Sequence, residues 1–332
     1  MASVTRGVVG GGESEPLAKR AAEFRFGIVT AWPVEDWHSR RLVAACARRG
    51  TAATVDPGVL AAFVTDGAVE VRLGRHDAAS FDALLLARGL GRAGDPDVQF
   101  EIYRALEGTG TLVANRIDAL LAAQDKLRTS WLLRRARVPT PPAAVAQTAD
   151  EAVAALQVLV SAVAKPITGS LGDGLVRVEA DRAGRRKVAE LAERDGAVYM
   201  QRYVPHPGRD TRLFVVGARV AGAMERCAPE GEWRTNVERG ARVRPICPDR
   251  ALSRVAVRAA GALGLDWAGV DVVTGPGGPT VLEVNGNPSW AGILEATGVD
   301  MAEPIAEHVW ARARRRAGRH GITREHAGTN HG

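Results

Sequence analysis

The sequence predicts an α/β protein whose N-terminal part is a parallel sheet covered by helices and whose C-terminal part is α+β. Three observations carry that expectation. Apolar strand-like runs alternate with amphipathic helical stretches over residues 24–115, as βαβ connections require. A lysine closing an apolar run is followed at once by a glycine-rich loop and a second strand, in "SAVAKPITGSLGDGLVRVEA". Two Val-rich runs flank "TGPGGP" between Gly269 and Asn285 and read as a hairpin.

In the first part, "FRFGIVTAW" is a buried strand and "EDWHSRRLVAACARRG" an amphipathic helix closed by Gly50. "TAATVDP" and "FDALLLARG" follow as the second and third strands. "PDVQFEIYRALEGTG" is a helix with Pro96 at its start and glycines at its end, and "TLVAN" is the fourth strand. No GxGxxG follows the first strand, which argues against a dinucleotide site there. "AQDKLRTSWLLRRARVPTPP" reads as one helix stopped by a proline-rich turn. Beyond the glycine loop, "AVYMQRYVPHPGRDTRLFVVGARVAGAMERC" gives successive strands. "ALSRVAVRAAGALGLDWAG" is a helix leading into the hairpin, and "GVDMAEPIAEHVWARARRR" is the closing helix. No internal repeat or heptad run is present.

A chain of 332 residues can build two or three units with proper cores. Its 46% hydrophobic and 25% charged residues are those of a soluble globular protein, and no apolar run is long enough to predict a membrane span. Residues 1–23 lack a signal-peptide core and are rich in Gly, Ser and Glu, which predicts a flexible extension. Three widely spaced cysteines, Cys46, Cys227 and Cys247, suit reduced thiols in a cytoplasmic protein better than a disulfide frame or a zinc site. The net charge of +6 is concentrated at the C-terminus, where residues 311–332 hold six arginines against one acid, Glu325. The rest is close to neutral, so nucleic acid is not expected as the main partner.

Asp271, Glu283 and Asn285 offer the sharpest chemistry. With the turn centred near Gly277, Asp271 stands opposite Glu283, and Asn285 leaves the same face two residues on. Two carboxylates and an amide oxygen are hard ligands that suit Mg²⁺, an ion that usually arrives with nucleotide phosphates. The spacing alone equally fits a surface turn, but the surrounding valines imply a buried sheet, where unpaired acids are costly. Lys165 ahead of the Gly169–Gly174 loop suits a phosphate, because glycine backbone approaches oxygens closely and lysine adds a point charge. A plain hairpin turn is the other reading of that loop, which is neither a Walker A nor a Rossmann motif. Lys126 alone reads as an exposed helix lysine. His38 is either at a domain mouth or a part-exposed helix residue, and Trp290 either walls a pocket or packs the core.

Taken in order, "DK", "KP" with its glycine loop, "QRYV", "DTR", "RTN", "GVD" and "EVN" resemble the RimK-type ATP-grasp ligases, the α-L-glutamate ligase family. The likeness runs from about Asn115 to Val309, and "EVNGNPSWAGILEATGVDMAEPI" is especially similar to the family's C-terminal signature. It implies an ATP-grasp fold with an N-terminal Rossmann-like pre-ATP-grasp domain over 24–115. A central lid domain over 116–200, a C-terminal ATP-grasp domain over 201–316 and a basic tail over 317–332 would follow. It also implies ATP with Mg²⁺ or Mn²⁺. Lys126 and Lys165 would contact phosphates, with Gly169, Gly172 and Gly174 in the loop that closes over them. Gln201, Arg202, Tyr203 and Val204 would form the hinge whose backbone reads adenine. Asp210, Arg234, Thr235 and Asn236 would contact the nucleotide, and Asp271, Glu283 and Asn285 would hold the metal. The family often has an acid where Arg202 stands, so side-chain contacts at the hinge depart from its pattern. Arg226 and Arg239 are the catalytic candidates, because a guanidinium pairs with a carboxylate or a developing oxyanion in bidentate fashion. As plain surface arginines they would have no such role.

The activity implied by this resemblance is ATP-dependent carboxylate–amine ligation through an acyl phosphate, adding glutamate or a similar amino acid to a carboxyl-bearing acceptor. "VPTPP" and "KPITGSLGDGL" look most like ligases that glutamylate a tetrahydromethanopterin-type pterin cofactor. Peptide or protein C-terminal glutamylation is the alternative, and a non-catalytic ATP-binding regulatory module a third. The implied partners are small molecules, and the family's habit implies a homodimer or homotetramer.

Overall fold

The computed structural model describes residues 24–165, 174–236 and 240–327, with side chains through residue 316. The expected extension over 1–23, the loop glycines Gly169 and Gly172, and Arg239 lie outside the described residues, as do the side chains of the basic tail.

The N-terminal unit contains β1 (Arg25–Thr30), α1 (Trp37–Ala47), β2 (Thr51–Val55), β3 (Leu60–Thr65), β4 (Ala68–Leu73), β5 (His76–Asp77), β6 (Ala83–Arg88), α2 (Pro96–Gly108) and β7 (Leu112–Ala114). Strands β2-β1-β6-β7 form the expected parallel sheet. Asp36 caps α1 and Asp95 caps α2, each carboxylate accepting from a backbone N–H three residues on. The helix α1 stops at Ala47 with Arg48 as its cap, so Gly50 does not close it. Gly50 instead runs against the Phe24 backbone, where a Cβ would collide with the carbonyl. A three-stranded antiparallel sheet, β3-β4-β5, is an insertion the sequence reading passed over. Its Asp66–Gly67 turn, with Gly67 at φ 98°, is the two-residue hairpin signal that marks it.

Helices α3 (Ile117–Gln124) and α4 (Lys126–Arg135) replace the single helix expected there. Asp125 divides them, because its carboxylate accepts from the Arg128 N–H at 2.9 Å and so begins a new helix. The middle unit follows as β8 (Ala143–Ala146), α5 (Ala149–Leu159), β9 (Ser161–Lys165), β10 (Val176–Glu179), α6 (Arg182–Asp195) and β11 (Val198–Arg202). Its antiparallel sheet has the order β10-β9-β11-β8.

The C-terminal unit holds β12 (Arg209–Val216), β13 (Arg219–Cys227), β14 (Arg242–Pro245), α7 (Arg250–Leu263), β15 (Trp267–Gly275), β16 (Gly278–Asn285), α8 (Ala291–Thr297) and α9 (Ala302–Ala327). Its sheet is antiparallel with the order β14-β13-β12-β15-β16. Helix α7 buries Val255, Ala256, Ala259, Ala260 and Leu263, the helical stripe that docks it on one face of this sheet. The other face carries Phe214, Met224 and Trp267, which pack into a core shared with the N-terminal unit, and beside them the charged side chains of the candidate site. Two cores join the N-terminal and C-terminal units, and the middle unit has a third core of its own. Ile117, Leu120 and Leu133 of α3 and α4 belong to the shared core. Among the described residues no helix is long and apolar enough to cross a membrane.

Candidate active site

Directly opposed residues of antiparallel strands put their side chains on the same face of a sheet. Arg226 on β13 stands opposite Asp210 on β12. Arg212, two residues further along β12, stands opposite Asp271 on β15, and Asp271 stands opposite Glu283 on β16. Asn285, two beyond Glu283, joins that face. The hairpin closes where Gly275 meets Gly278, so its turn is Pro276–Gly277 and the register is the one predicted.

The result is a row of alternating charges. Arg226 donates to Asp210 through Nε at 2.8 Å and Nη2 at 2.5 Å, and its Nη2 lies 3.0 Å from Asp271 Oδ2. Arg212 grips Asp271 with two bonds of 2.7 Å. Arg226, Asp210 and Asp271 are only 4%, 5% and 5% exposed, so these pairs are shielded from water. Burial works to raise the Asp271 pKa, but the Arg212 and Arg226 guanidiniums outweigh it and hold that carboxyl well below the usual range. At Asp210 burial prevails and the pKa is pushed up, although Arg226 opposes it. Burial disfavours the charged forms of Arg226 and Arg212, but their carboxylate partners reverse this and leave both more firmly protonated than usual.

The sequence reading assigned no role to Arg212, although it quoted the Asp210-x-Arg212 spacing. Two residues apart on a strand means the same face, and that was the available signal. Arg226 is not a surface arginine, since its Nε and Nη2 donors are taken up by the two carboxylates.

Glu283 is exposed and Asn285 half-buried, and among the described residues neither side chain makes a hydrogen bond or ion pair. A hard divalent cation fits this donor set, with Asp271 shared between the cation and Arg212. Among the described residues no three His, Cys, Asp or Glu side chains gather, so a three-ligand set at this end of the row would have to include the Asn285 amide.

Lys165 at the end of β9 and Lys126 at the start of α4 converge on this row from outside the C-terminal sheet. Burial pushes the Lys165 ammonium below the usual lysine range, Glu283 pulls it back up, and Lys126 pushes it down further. Its Nζ donates to Gln201 Oε1 at 2.9 Å, and Gln201 Nε2 donates to the Leu282 carbonyl at 3.3 Å. Gln201 was expected to act through its backbone, yet its side chain bridges the middle-unit lysine and the strand that carries Glu283.

The remaining candidates line the join between the units. The Arg202 and Tyr203 N–H groups donate to the Pro142 and Ser161 carbonyls, so these two are already engaged within the sheet. Arg202 itself is exposed and donates to the Val158 carbonyl at 3.3 Å. Val204 packs near Gly275 of the hairpin. Tyr203 lies under the Arg177 guanidinium at 4.0 Å and meets the Trp233 ring edge-on. Arg234 pairs with Glu232, and the donors of Arg234 pull the Glu232 pKa down to about 2. Thr235 is buried and hydrogen-bonds the Asp210 carboxylate, while Asn236 is half-buried beside it. Gly174 is exposed at the described end of the glycine loop. Trp290 packs in the core with its Nε1 on Asp300 at 3.0 Å, which resolves the two readings of that residue.

A model of the RimK-like ATP-grasp domain matches residues 123–309. The tetrahydromethanopterin:alpha-L-glutamate ligase of Methanosarcina acetivorans is 30% identical over 319 residues, covering 86% of this chain and 98% of that protein. A probable alpha-L-glutamate ligase of Stenotrophomonas maltophilia is 38% identical over 211 residues, or 63% of this chain and 72% of its own. The crystal structure of a RimK domain ATP-grasp protein from Sphaerobacter thermophilus superposes with a TM-score of 0.63 at 25% identity, over 86% of this chain and 98% of that one. The domain match spans more than half of the sequence and the first of these relatives nearly its whole length, so the chain belongs to the RimK-like ATP-grasp family and is an ATP-dependent ligase.

Proposed function

We propose that the protein is a carboxylate–amine ligase that uses ATP and Mg²⁺ to add glutamate to a carboxyl-bearing acceptor, and that the acceptor is a pterin-type cofactor such as tetrahydromethanopterin. The observation that carries the reaction class is the charged row from Arg226 to Glu283 facing Lys165 and Lys126. The acceptor class rests on the full-length similarity to the Methanosarcina acetivorans ligase. In this reading residues 24–115 are the pre-ATP-grasp domain, 116–200 the lid and 201–316 the domain that holds the metal. The three free cysteines suit an enzyme of the cytoplasm.

An acceptor carboxylate oxygen attacks the γ-phosphorus, the bond to the β–γ bridging oxygen breaks, and ADP leaves with that electron pair. The glutamate amine then attacks the acyl carbon and inorganic phosphate departs, leaving an amide. Phosphoryl transfer asks the protein mainly to position reactants and neutralise charge. Lys126 and Lys165 meet the triphosphate, and Arg226 and Arg212 supply fixed positive charge beneath the reacting groups. Asp271, Glu283 and Asn285 would hold Mg²⁺, which when bound neutralises phosphate oxygens. Arg239 is proposed to bind a substrate carboxylate alongside Arg226.

The test is ADP release with glutamate and a panel of reduced pterins, acidic peptides and free amino acids, with the product mass measured. An ADP burst with a pterin and a product heavier by one glutamyl unit supports the proposal. Turnover only with a peptide C-terminus replaces the acceptor assignment. No ADP with any acceptor overturns the ligase reading in favour of a regulatory ATP-binding module. Glu283→Ala is expected to cut amide formation by about 10²–10³-fold while the protein stays folded, a loss typical of removing one group that stabilises transition-state charge. Activity within a few-fold of the parent would contradict the metal assignment.

A further inference from the structure

The four residues that follow Asn285 are each held by a side chain of the N-terminal unit. Asn115, just after β7, donates from Nδ2 to the Gly286 carbonyl at 2.9 Å. Arg88, the last residue of β6, donates from Nη1 to the Asn287 carbonyl at 3.0 Å and from Nη2 to the Pro288 carbonyl at 3.4 Å. His38, in the first turn of α1, shares a hydrogen bond between Nε2 and Ser289 Oγ at 3.0 Å. Asp36 steadies both of the latter, with Oδ1 3.3 Å from His38 Nδ1 and 3.9 Å from Arg88 Nε.

The segment has no slack elsewhere. A Cβ on Gly286 would press on Leu120 Cδ2 at 2.8 Å, and one on Gly269 would meet Pro288 at 2.8 Å. Trp290 closes the stretch with its bond to Asp300. Gly269 is the β15 partner of Asn285, so the packing against Pro288 acts at the register position of the amide ligand itself. The carboxyl ends of two parallel strands and the first turn of α1 thus meet, residue by residue, the chain that leaves the strand bearing Glu283 and Asn285.

We propose that Arg88, with His38 and Asn115 beside it, is the positioning residue for the metal-binding end of β16. It acts by fixing the backbone of Asn287 and Pro288, between the ties of Asn115 to Gly286 and of His38 to Ser289, and hence the direction in which Glu283 and Asn285 present their oxygens. The proposal rests on the reading of those two residues with Asp271 as metal ligands. Arg88 touches no ligand. Its role resembles that of the outer groups that orient first ligands at metal sites, whose loss typically costs about 10–100-fold in metal affinity.

The experiment measures binding of a non-hydrolysable ATP analogue by calorimetry, with Mg²⁺ and with chelator, alongside thermal melting. Arg88→Met keeps the aliphatic stem and removes the donors. It should weaken Mg²⁺-dependent binding by about ten-fold or more, with metal-free binding within about two-fold of the parent. Arg88→Lys restores one donor and should recover part of the loss. It carries the test if the methionine variant does not fold. Arg49→Met removes a different tie between the same two units, the bond to Glu303 at 3.0 Å, and should leave both affinities unchanged. Equal weakening with and without Mg²⁺ would overturn the proposal, as would no change in either Arg88 variant or the same loss in Arg49→Met. A parent protein that binds the analogue no better with Mg²⁺ than without would instead overturn the metal assignment beneath it.

Discussion

The middle unit and the C-terminal unit are both antiparallel sheets backed by helices, but they are anchored differently. The middle sheet closes a core of its own, in which Leu156, Val188 and Met200 meet between α5, α6 and the strands. The C-terminal sheet shares its cores with the N-terminal unit, so that Phe214 and Trp267 are buried with Phe26 and Leu85. Polar ties join the middle sheet to the rest at specific points. They include Ser130 Oγ to Tyr199 Oη at 2.8 Å and the Gln201 amide to Leu282. The lesson is a division of labour. The acids and arginines stand on a sheet fixed from two sides, whereas Lys165 is delivered by a unit with a core of its own.

The largest effect that would break this comparison is expected from Arg226→Met. It removes the charged partner of Asp210 and one partner of Asp271 in a nearly dry setting, leaving Thr235 as a hydrogen-bond donor to Asp210. Breaking a buried pair by removing one member costs about 3–5 kcal/mol, because the other charge stays behind uncompensated. Calorimetric melting should show the loss in the transition shared by the N-terminal and C-terminal units. A variant as stable as its parent would mean that water reaches this row and that the sheet face is not closed.

A smaller and more local effect is expected from Val188→Ala, which removes two methyl groups from the middle core. At about 0.8 kcal/mol per buried carbon the cost is about 2 kcal/mol. Hydrogen exchange should quicken in the described parts of residues 143–202 and stay unchanged in β12, β15 and β16. Quickening across all three units would show that the middle core is not independent.

The part of this arrangement legible in the sequence is the part built from neighbours. The Asp271–Glu283 pairing follows from alternation around a Gly/Pro turn, and the parallel sheet follows from strand–helix alternation, so both are local readings. The Arg212–Asp271 pair joins residues 59 apart, and only the register of β12 on β15 brings them face to face. Arg226 is likewise a strand arginine in sequence and a buried ion in the fold, because burial depends on strands that are distant in the chain. The Gln201 side-chain bridge was not legible for the same reason, since its two partners come from β9 and β16. The β3–β4 hairpin is a different kind of miss. Its Asp-Gly turn was readable, but its strands expose Phe63, Val64 and Val69 and lack the buried character that marked the other strands. At α3 and α4 a single aspartate outweighed a continuous helical pattern, since capping satisfies backbone donors that the pattern alone does not count.

The smallest effect concerns pH, and it tests whether Lys165 really sits in the closed join between the two sheets. Burial disfavours its charged form, with Lys126 adding to this and Glu283 opposing it, so the folded pKa lies below the unfolded one. Between those two values the unfolded chain binds more protons than the folded chain. Stability therefore rises as pH rises through that window, because the cost of keeping a buried ammonium is relieved. In the role proposed for Lys165 phosphate binding would run the other way, since a neutral amine no longer attracts a triphosphate. Affinity for ATP should thus begin to fall at a pH below the ordinary lysine range while thermal stability increases slightly. Lys165→Arg should abolish both trends, because a guanidinium stays protonated throughout. If affinity and stability fell together in the parent, the lysine would be solvated, and the middle sheet would rest open instead of against β16.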